Sequence, residues 1–263
     1  MIDSPHNPKI KAAVALRDRD ARLAQGLTLV DGAREARRAI EAGFVVEAAY
    51  ICRDLLRSDE ANAAVRAITD RAVPVWEVSE RVHDRLAFGN RGDGIVLVVR
   101  TPTPTLSAIG TLPDPLFLVT EDVEKPGNLG AILRTADGAG CAGVIAIGGT
   151  DIFNPNVVRA SVGTVFSVPV AVASASEAIA WLTQRAVRIV TARVEGSALY
   201  TEADLTGSVA IVLGSEADGL SDAWQGSGIE SVAIPMLGIA DSLNVAATAA
   251  VLAFEARRQR SAR

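Results

Sequence analysis

The stretch Glu121-Asp-Val-Glu-Lys-Pro-Gly-Asn-Leu-Gly-Ala-Ile-Leu-Arg-Thr-Ala-Asp-Gly-Ala-Gly140 decides how this chain folds. An apolar run, Leu116 to Thr120, leads into it, and another, Val144 to Ile147, follows. Between them Leu129, Ile132, Leu133 and Ala136 recur at helical spacing, which predicts a helix with one buried stripe. Pro126-Gly127 is a turn pair, and Asn128 is a suitable N-cap for that helix. Strand, helix, strand with both strands fully apolar is the unit of a parallel sheet covered on both faces. At about 100° per residue, Arg134 lies about 140° from the centre of the stripe and points away from the core. Two readings of it stand: a side chain offered to a cleft, or a surface arginine pairing with Asp137 at i+3.

The pattern continues outward from this unit. Val168–Val172, Arg188–Ala192, Val209–Leu213 and the short Val232–Ile234 read as strands, and Ser176–Gln184 and Ser242–Arg260 as helices. Two further stretches carry polar residues at the ends of such strands. Ile211-Val-Leu-Gly-Ser-Glu-Ala-Asp-Gly-Leu-Ser221 places Gly214 and Glu216 on the loop after a strand, the edge where open α/β sheets bind ligands. Glycine there lets the backbone approach a ligand closely. Ile234-Pro-Met-Leu-Gly-Ile-Ala-Asp-Ser-Leu-Asn-Val245 runs into an alanine-rich helix for which Ser242 is a natural N-cap. Gly138-Ala-Gly-Cys-Ala-Gly143 satisfies the dinucleotide pattern GxGxxG, but a helix ends there and a strand begins, the reverse of what pyrophosphate binding needs. Helix C-capping is the better account of Gly138 and Gly140.

Before residue 116 the reading changes. Thr101-Pro-Thr-Pro-Thr and Leu112-Pro-Asp-Pro115 punctuate the chain as a linker over 101–115. Residues 1–100 form a small α/β domain: strands at 27–30, 45–52, 73–78 and 95–99, and helices at 32–42 and 59–71. Residues 116–263 form the second domain.

Composition sets outer limits. The chain has 263 residues, of which 49% are hydrophobic and 22% charged, as expected of a globular protein. No apolar run approaches the roughly 18 residues of a membrane span, and Met1 to Lys11 lacks a signal-peptide core, so the cytoplasm is the expected location. Cys52 and Cys141 both sit in apolar runs and read as reduced thiols. The net charge of −5 argues against coating nucleic acid by charge alone. Lys9–Arg22 and Arg34–Arg38 could form local RNA-facing patches, or equally solvated helix surfaces, because Asp18, Asp20, Glu35 and Glu41 are interleaved. His6 and His83 have no metal-ligand spacing. Trp76, Trp181 and Trp224 are dispersed and read as packing residues.

The three stretches around 121–140, 211–221 and 234–245, in that order, resemble the motifs of the SpoU/TrmH family of RNA 2′-O-ribose methyltransferases, within the SPOUT superfamily. The front domain is similar to the L30e-like substrate-binding domain that precedes many family catalytic domains, on element order and on Leu29-Val-Asp-Gly-Ala-Arg-Glu-Ala36. The resemblance implies an α/β fold: a SPOUT domain with a parallel sheet and trefoil knot behind an L30e-like domain. It implies S-adenosylmethionine as cofactor, no metal, and a homodimer whose active sites lie near the interface.

Residue by residue, the resemblance gives Arg134 the main catalytic role at the ribose 2′-hydroxyl. An arginine is a poor general base, so orientation and charge stabilisation fit it better than proton removal. Asn128, Glu216, Ser242 and Asn244 belong to the same active centre, and Gly214, Ile234, Met236 and Leu243 to the cofactor site. Glu121 and Lys125 depart from the family pattern, which often has Asp at both places. Arg159–Phe166 resembles another family stretch and carries no assigned chemistry.

The function implied is 2′-O-methylation of structured RNA, with 23S rRNA favoured. Some relatives confer antibiotic resistance through this chemistry. A tRNA 2′-O-methyltransferase and a non-catalytic RNA-binding or ribosome-assembly protein that keeps the fold are the alternatives. A nucleotide-dependent oxidoreductase would rest only on the misplaced GxGxxG.

Overall fold

A computed structural model describes residues 1–88, 92–110 and 112–261. In chain order the elements are α1 (Pro8–Ala15), α2 (Arg19–Gln25), β1 (Leu27–Asp31), α3 (Ala33–Glu41), β2 (Val46–Ile51), α4 (Asp59–Asp70), β3 (Val75–Glu77), α5 (Glu80–Leu86) and β4 (Ile95–Arg100). They continue with β5 (Leu116–Glu121), α6 (Pro126–Ala139), β6 (Gly143–Ile147), α7 (Pro155–Ala160), β7 (Val170–Val172), α8 (Ala175–Gln184) and β8 (Arg188–Ala192). Last come β9 (Ala198–Leu199), β10 (Val209–Leu213), β11 (Ile229–Ala233) and α9 (Val245–Ser261). The chain divides into two compact units: residues 1–103 with 151–167, and residues 104–150 with 168–263.

The first unit is built on a four-stranded sheet of order β1-β4-β2-β3, with β4 antiparallel to both neighbours and β3 parallel to β2. Helices α1 and α5, which the sequence leaves unassigned, supply Ile10, Ala13, Val82 and Leu86 to a core with Leu16, Leu29, Tyr50, Val96 and Val98. Both are short, and their apolar residues are too few to stand out as a periodic stripe. Residues 151–167 pack on this unit although they follow β6 in the chain. Thr28 Oγ1 donates to the Phe153 carbonyl at 2.6 Å, and Arg38 Nη1 donates to the Val162 carbonyl at 2.8 Å. Phe44 meets Phe166 edge-on, ring centres 4.9 Å apart. Arg22 is almost fully buried because Asp151 Oδ2 accepts from its Nε at 2.8 Å and the Leu16 and Arg17 carbonyls take its Nη1.

One buried acid in this unit stands out. Asp31 Oδ2 accepts from the Phe88 N–H at 2.6 Å, Arg159 lies 4.0 Å away, and burial pushes the carboxyl up to about 6. Taking a carboxylate out of water penalises its charged form more than one amide and one distant cation compensate.

The second unit holds a seven-stranded sheet of order β7-β6-β5-β10-β8-β11-β9, every pair parallel. Its central strands β5, β6 and β10 are wholly buried, in keeping with their apolar runs, while β7, β9 and β11 toward the edges are partly exposed. Phe117, Val119, Ile145, Val212, Leu182 and Trp224 form the core on the side of α8. On the other face, α6 buries the expected Leu129, Ile132, Leu133 and Ala136, and α9 buries Ala249, Leu252, Ala253 and Ala256. The alanines let α9 lie close to α6 and to β10. Gly140, in the left-handed region at φ 65°, caps α6 as expected, whereas Gly138 lies inside the helix.

Candidate functional site

The strand order places β5 and β10 side by side, with β6 and β7 running off to one side and β8, β11 and β9 to the other. The carboxyl ends of strands near such a divide are where a parallel sheet leaves a crevice. A cleft of about 570 Å³ opens there, lined by the segments that leave β8, β10 and β11. Gly214, Ile234, Met236 and Leu243 all line it, together with Glu216 and Ser242.

The loop after β10 turns back on itself. Ser215 and Gly219 exchange backbone hydrogen bonds at 3.0 and 3.2 Å, and Ser215 Oγ accepts from the Asp218 N–H at 2.9 Å. This turn brings backbone hard against Gly214: a Cβ added there would stand 2.3 Å from the Gly219 carbonyl carbon and 2.6 Å from the Leu220 nitrogen. Only glycine fits, and the cleft wall at this point is bare backbone. The next residues are gripped from the first motif. Buried Glu121 accepts from the Ser221 N–H through Oε2 and from Ser221 Oγ through Oε1, both at 2.8 Å. In the sequence Glu121 stood out only as a departure from Asp. Its role is to tie the end of β5 to the end of the second motif, a link across 100 residues that no local pattern signals.

Three of the expected site residues meet at Glu216. Asn128 Nδ2 donates to Glu216 Oε1 at 2.9 Å, and Asn244 Nδ2 donates to the same oxygen at 2.6 Å. Asn244 Nδ2 also lies 3.2 Å from Asn128 Oδ1. Lys125 Nζ pairs with Glu216 Oε2. The lysine hydrogen bond is the largest of the effects that hold the Glu216 carboxyl below the usual carboxylate range; the two amides add to it. The unexpected Lys125 thus supplies a positive partner where an acid would have repelled Glu216.

Both N-cap expectations are corrected. Helix α6 starts at Pro126, so Asn128 lies within its first turn, and its side chain goes to Glu216 rather than to the helix. Helix α9 starts at Val245, and Asn244, not Ser242, caps it: Asn244 Oδ1 accepts from the Ala246 N–H at 3.0 Å. That amide can only donate, so it turns the Asn244 oxygen toward the helix and the Asn244 nitrogen toward Glu216. Ser242 is left exposed on the cleft lining. Arg134 is exposed on α6, outside the Glu216 hydrogen-bond network, about 9 Å along the helix axis from Asn128 and about 120° round it.

The cleft suits a nucleoside-type ligand: its wall at Gly214 is backbone that a side chain would block, and its volume is that of a cofactor pocket. A parallel sheet with such a cleft, edged by a carboxylate that two carboxamides and an ammonium hold in place, is the architecture of an α/β protein that binds a small ligand at the carboxyl ends of its strands. The chain belongs to the SpoU rRNA methylase family, whose profile matches residues 115–254. Residues 7–96 match the MRM3-like substrate binding domain.

Among its relatives, a 23S rRNA (uridine(2479)-2′-O)-methyltransferase of Streptomyces viridochromogenes is 32% identical over 93% of this chain and 87% of its own length. The 23S rRNA (guanosine(2553)-2′-O)-methyltransferase RlmP of Bacillus subtilis is 26% identical over 97% and 98%. The structure of the SpoU methyltransferase AviRb from Streptomyces viridochromogenes, in complex with the cofactor AdoMet, superimposes with a TM-score of 0.87. It is 30% identical and covers 98% of this chain and 100% of that one.

Proposed function

We propose that this protein transfers a methyl group from S-adenosylmethionine to a ribose 2′-oxygen of 23S rRNA. The observation that carries the reading is the joining of Asn128, Glu216 and Asn244, drawn from all three motifs, at the edge of a backbone-lined cleft. Full-length similarity to two 23S rRNA 2′-O-methyltransferases supports rRNA over tRNA as substrate. The front unit's match to a substrate-binding domain favours a folded RNA read by shape and phosphate.

Gly214, Ile234, Met236 and Leu243 would hold S-adenosylmethionine, which supplies a methyl group on a positively charged sulfur. Glu216 fixes Asn128 and Asn244, and through them the motif-one and motif-three segments that border the cleft. Arg134 orients the ribose and offsets charge on the attacking oxygen and its phosphate through its planar fork of donors. Ser242 stands beside the reacting atoms as a hydrogen-bonding group. Rate enhancement then comes from holding hydroxyl, methyl and sulfur in line. The family resemblance adds a homodimer in which Arg134 reaches the partner subunit's cofactor region. It also includes the trefoil knot of the family, formed by threading the C-terminal segment through a loop, and a cytoplasmic location. Among the described residues no helix is long and apolar enough to cross a membrane.

The test is tritium transfer from labelled S-adenosylmethionine into rRNA and tRNA from a strain lacking the gene, with Arg134→Ala alongside. Label in 23S rRNA with the wild type only is expected. Label in tRNA alone would move the substrate, and label in neither pool without cofactor binding would leave a non-catalytic RNA binder. Sedimentation of the active species checks the dimer; a fully active monomer would remove that part.

A further inference from the structure

The charges around the cleft are unequal. Glu195, Glu216, Asp218 and Asp241 line it, and among the described residues lining it Arg193 is the one cation. Arg193 directly follows β8, and its N–H donates to the Val232 carbonyl at 3.0 Å, which pins the chain as it leaves the sheet. Its guanidinium forms no ion pair among the described residues. The contacts it does make are long: Nη1 lies 3.5 Å from the Leu220 carbonyl and Nη2 lies 3.4 Å from the Ser221 carbonyl. A guanidinium has five N–H donors, so most of this one's capacity is unspent. A half-buried arginine at the rim of an acid-lined cleft is the natural partner for an anionic group of whatever the cleft holds.

S-adenosylmethionine carries one carboxylate, on the same arm as its ammonium and sulfonium groups. Beside Glu195, Asp218 or Asp241 that carboxylate would be repelled; beside Arg193 it meets a planar fork that can donate two parallel hydrogen bonds. We propose that Arg193 binds the carboxylate of the methionine arm, an assignment that rests on the cleft being the cofactor site. The contact also reaches the loop after β10, because the same guanidinium touches the carbonyl of Ser221, whose N–H and hydroxyl are held by Glu121. Arg193 therefore makes the cleft select ligands that keep the amino-acid arm over those that carry only the nucleoside.

Calorimetry on the full chain separates these contributions, with S-adenosylmethionine and with 5′-methylthioadenosine, which lacks the amino-acid arm. Arg193→Gln is expected to weaken S-adenosylmethionine by about 10- to 100-fold, the usual loss for a charge-assisted pair. The same variant should bind 5′-methylthioadenosine within about twofold of wild type, which also shows that the cleft is still folded. Arg193→Lys should fall between, since it keeps the charge but not the fork. Equal losses for both ligands, or no loss for S-adenosylmethionine, would overturn the assignment. If the wild type binds neither compound, the cofactor reading fails and the assignment with it.

Discussion

Asn244 holds two jobs with the two ends of one amide, and substitution can separate them. Its oxygen caps α9 through the Ala246 N–H at 3.0 Å, and its nitrogen donates to Glu216 at 2.6 Å. Asn244→Ala removes both. Losing the cap costs about 1 kcal/mol, which for a chain of this size lowers Tm by about 2–4 °C. Asn244→Asp keeps the acceptor, and its charge suits the positive end of the helix, so Tm should stay within about 1 °C of wild type. It also sets a second carboxylate against Glu216 where a donor stood. One of the two must take up a proton or the pair must part, and either way the joint between the second and third motifs opens. Misplacing site residues by about 1 Å is enough for a loss near 100-fold. Both variants should therefore lose about 100-fold in kcat/KM for RNA, while only Asn244→Ala melts early. Differential scanning fluorimetry and a methyl-transfer assay on the same preparations decide it. An Asn244→Asp protein with wild-type activity would refute the claim that the amide's donor end organises the site.

Three further outcomes are expected. Arg134→Ala should lose about 1,000-fold in methyl transfer with S-adenosylmethionine affinity unchanged by calorimetry, as removal of a charge-stabilising donor does; a parallel loss of cofactor binding would move Arg134 into the cofactor site. Lys125 is the main group holding Glu216 below the usual carboxylate range, and a depressed carboxylate keeps its contacts until pH falls through its folded value. Lys125→Met should thus shift the acid limb of the kcat/KM profile to higher pH, and superimposable profiles would count against the pairing. Asp31 is raised from 3.8 to about 6, so its favourable contribution is complete below the lower value and is lost as pH rises through the upper one. Asp31→Asn, whose oxygen can still accept from Phe88, should gain up to about 3 kcal/mol at pH 7 and flatten the fall in urea midpoint between pH 4 and 7; an unchanged slope would show that Asp31 does not set it.

The sequence alone determined the strongly patterned local elements and the chemistry on offer, but not the short helices α1, α2, α5 and α7. The short apolar runs at 116–119, 144–147 and 209–213 read as strands buried on both faces, and the stripe Leu129, Ile132, Leu133, Ala136 as one side of a helix. These signals are local, because burial repeats with the period of the element itself. The motif order gave the family, and with it Asn128, Glu216 and Asn244 as one centre. The tertiary structure decided what depends on residues distant in sequence. It set the strand order, the packing of 151–167 on the first unit, and the grip of Glu121 on Ser221. It showed that Lys125 neutralises Glu216, and that Asn244 rather than Ser242 caps α9. The cap error has a simple cause: serine and asparagine accept the same helix N–H, and only the start of the first turn shows which one is in reach. Arg193 carried no motif at all. A lone arginine after a strand has no pattern to read, and its meaning comes from the cleft that folding lines with it and four acids.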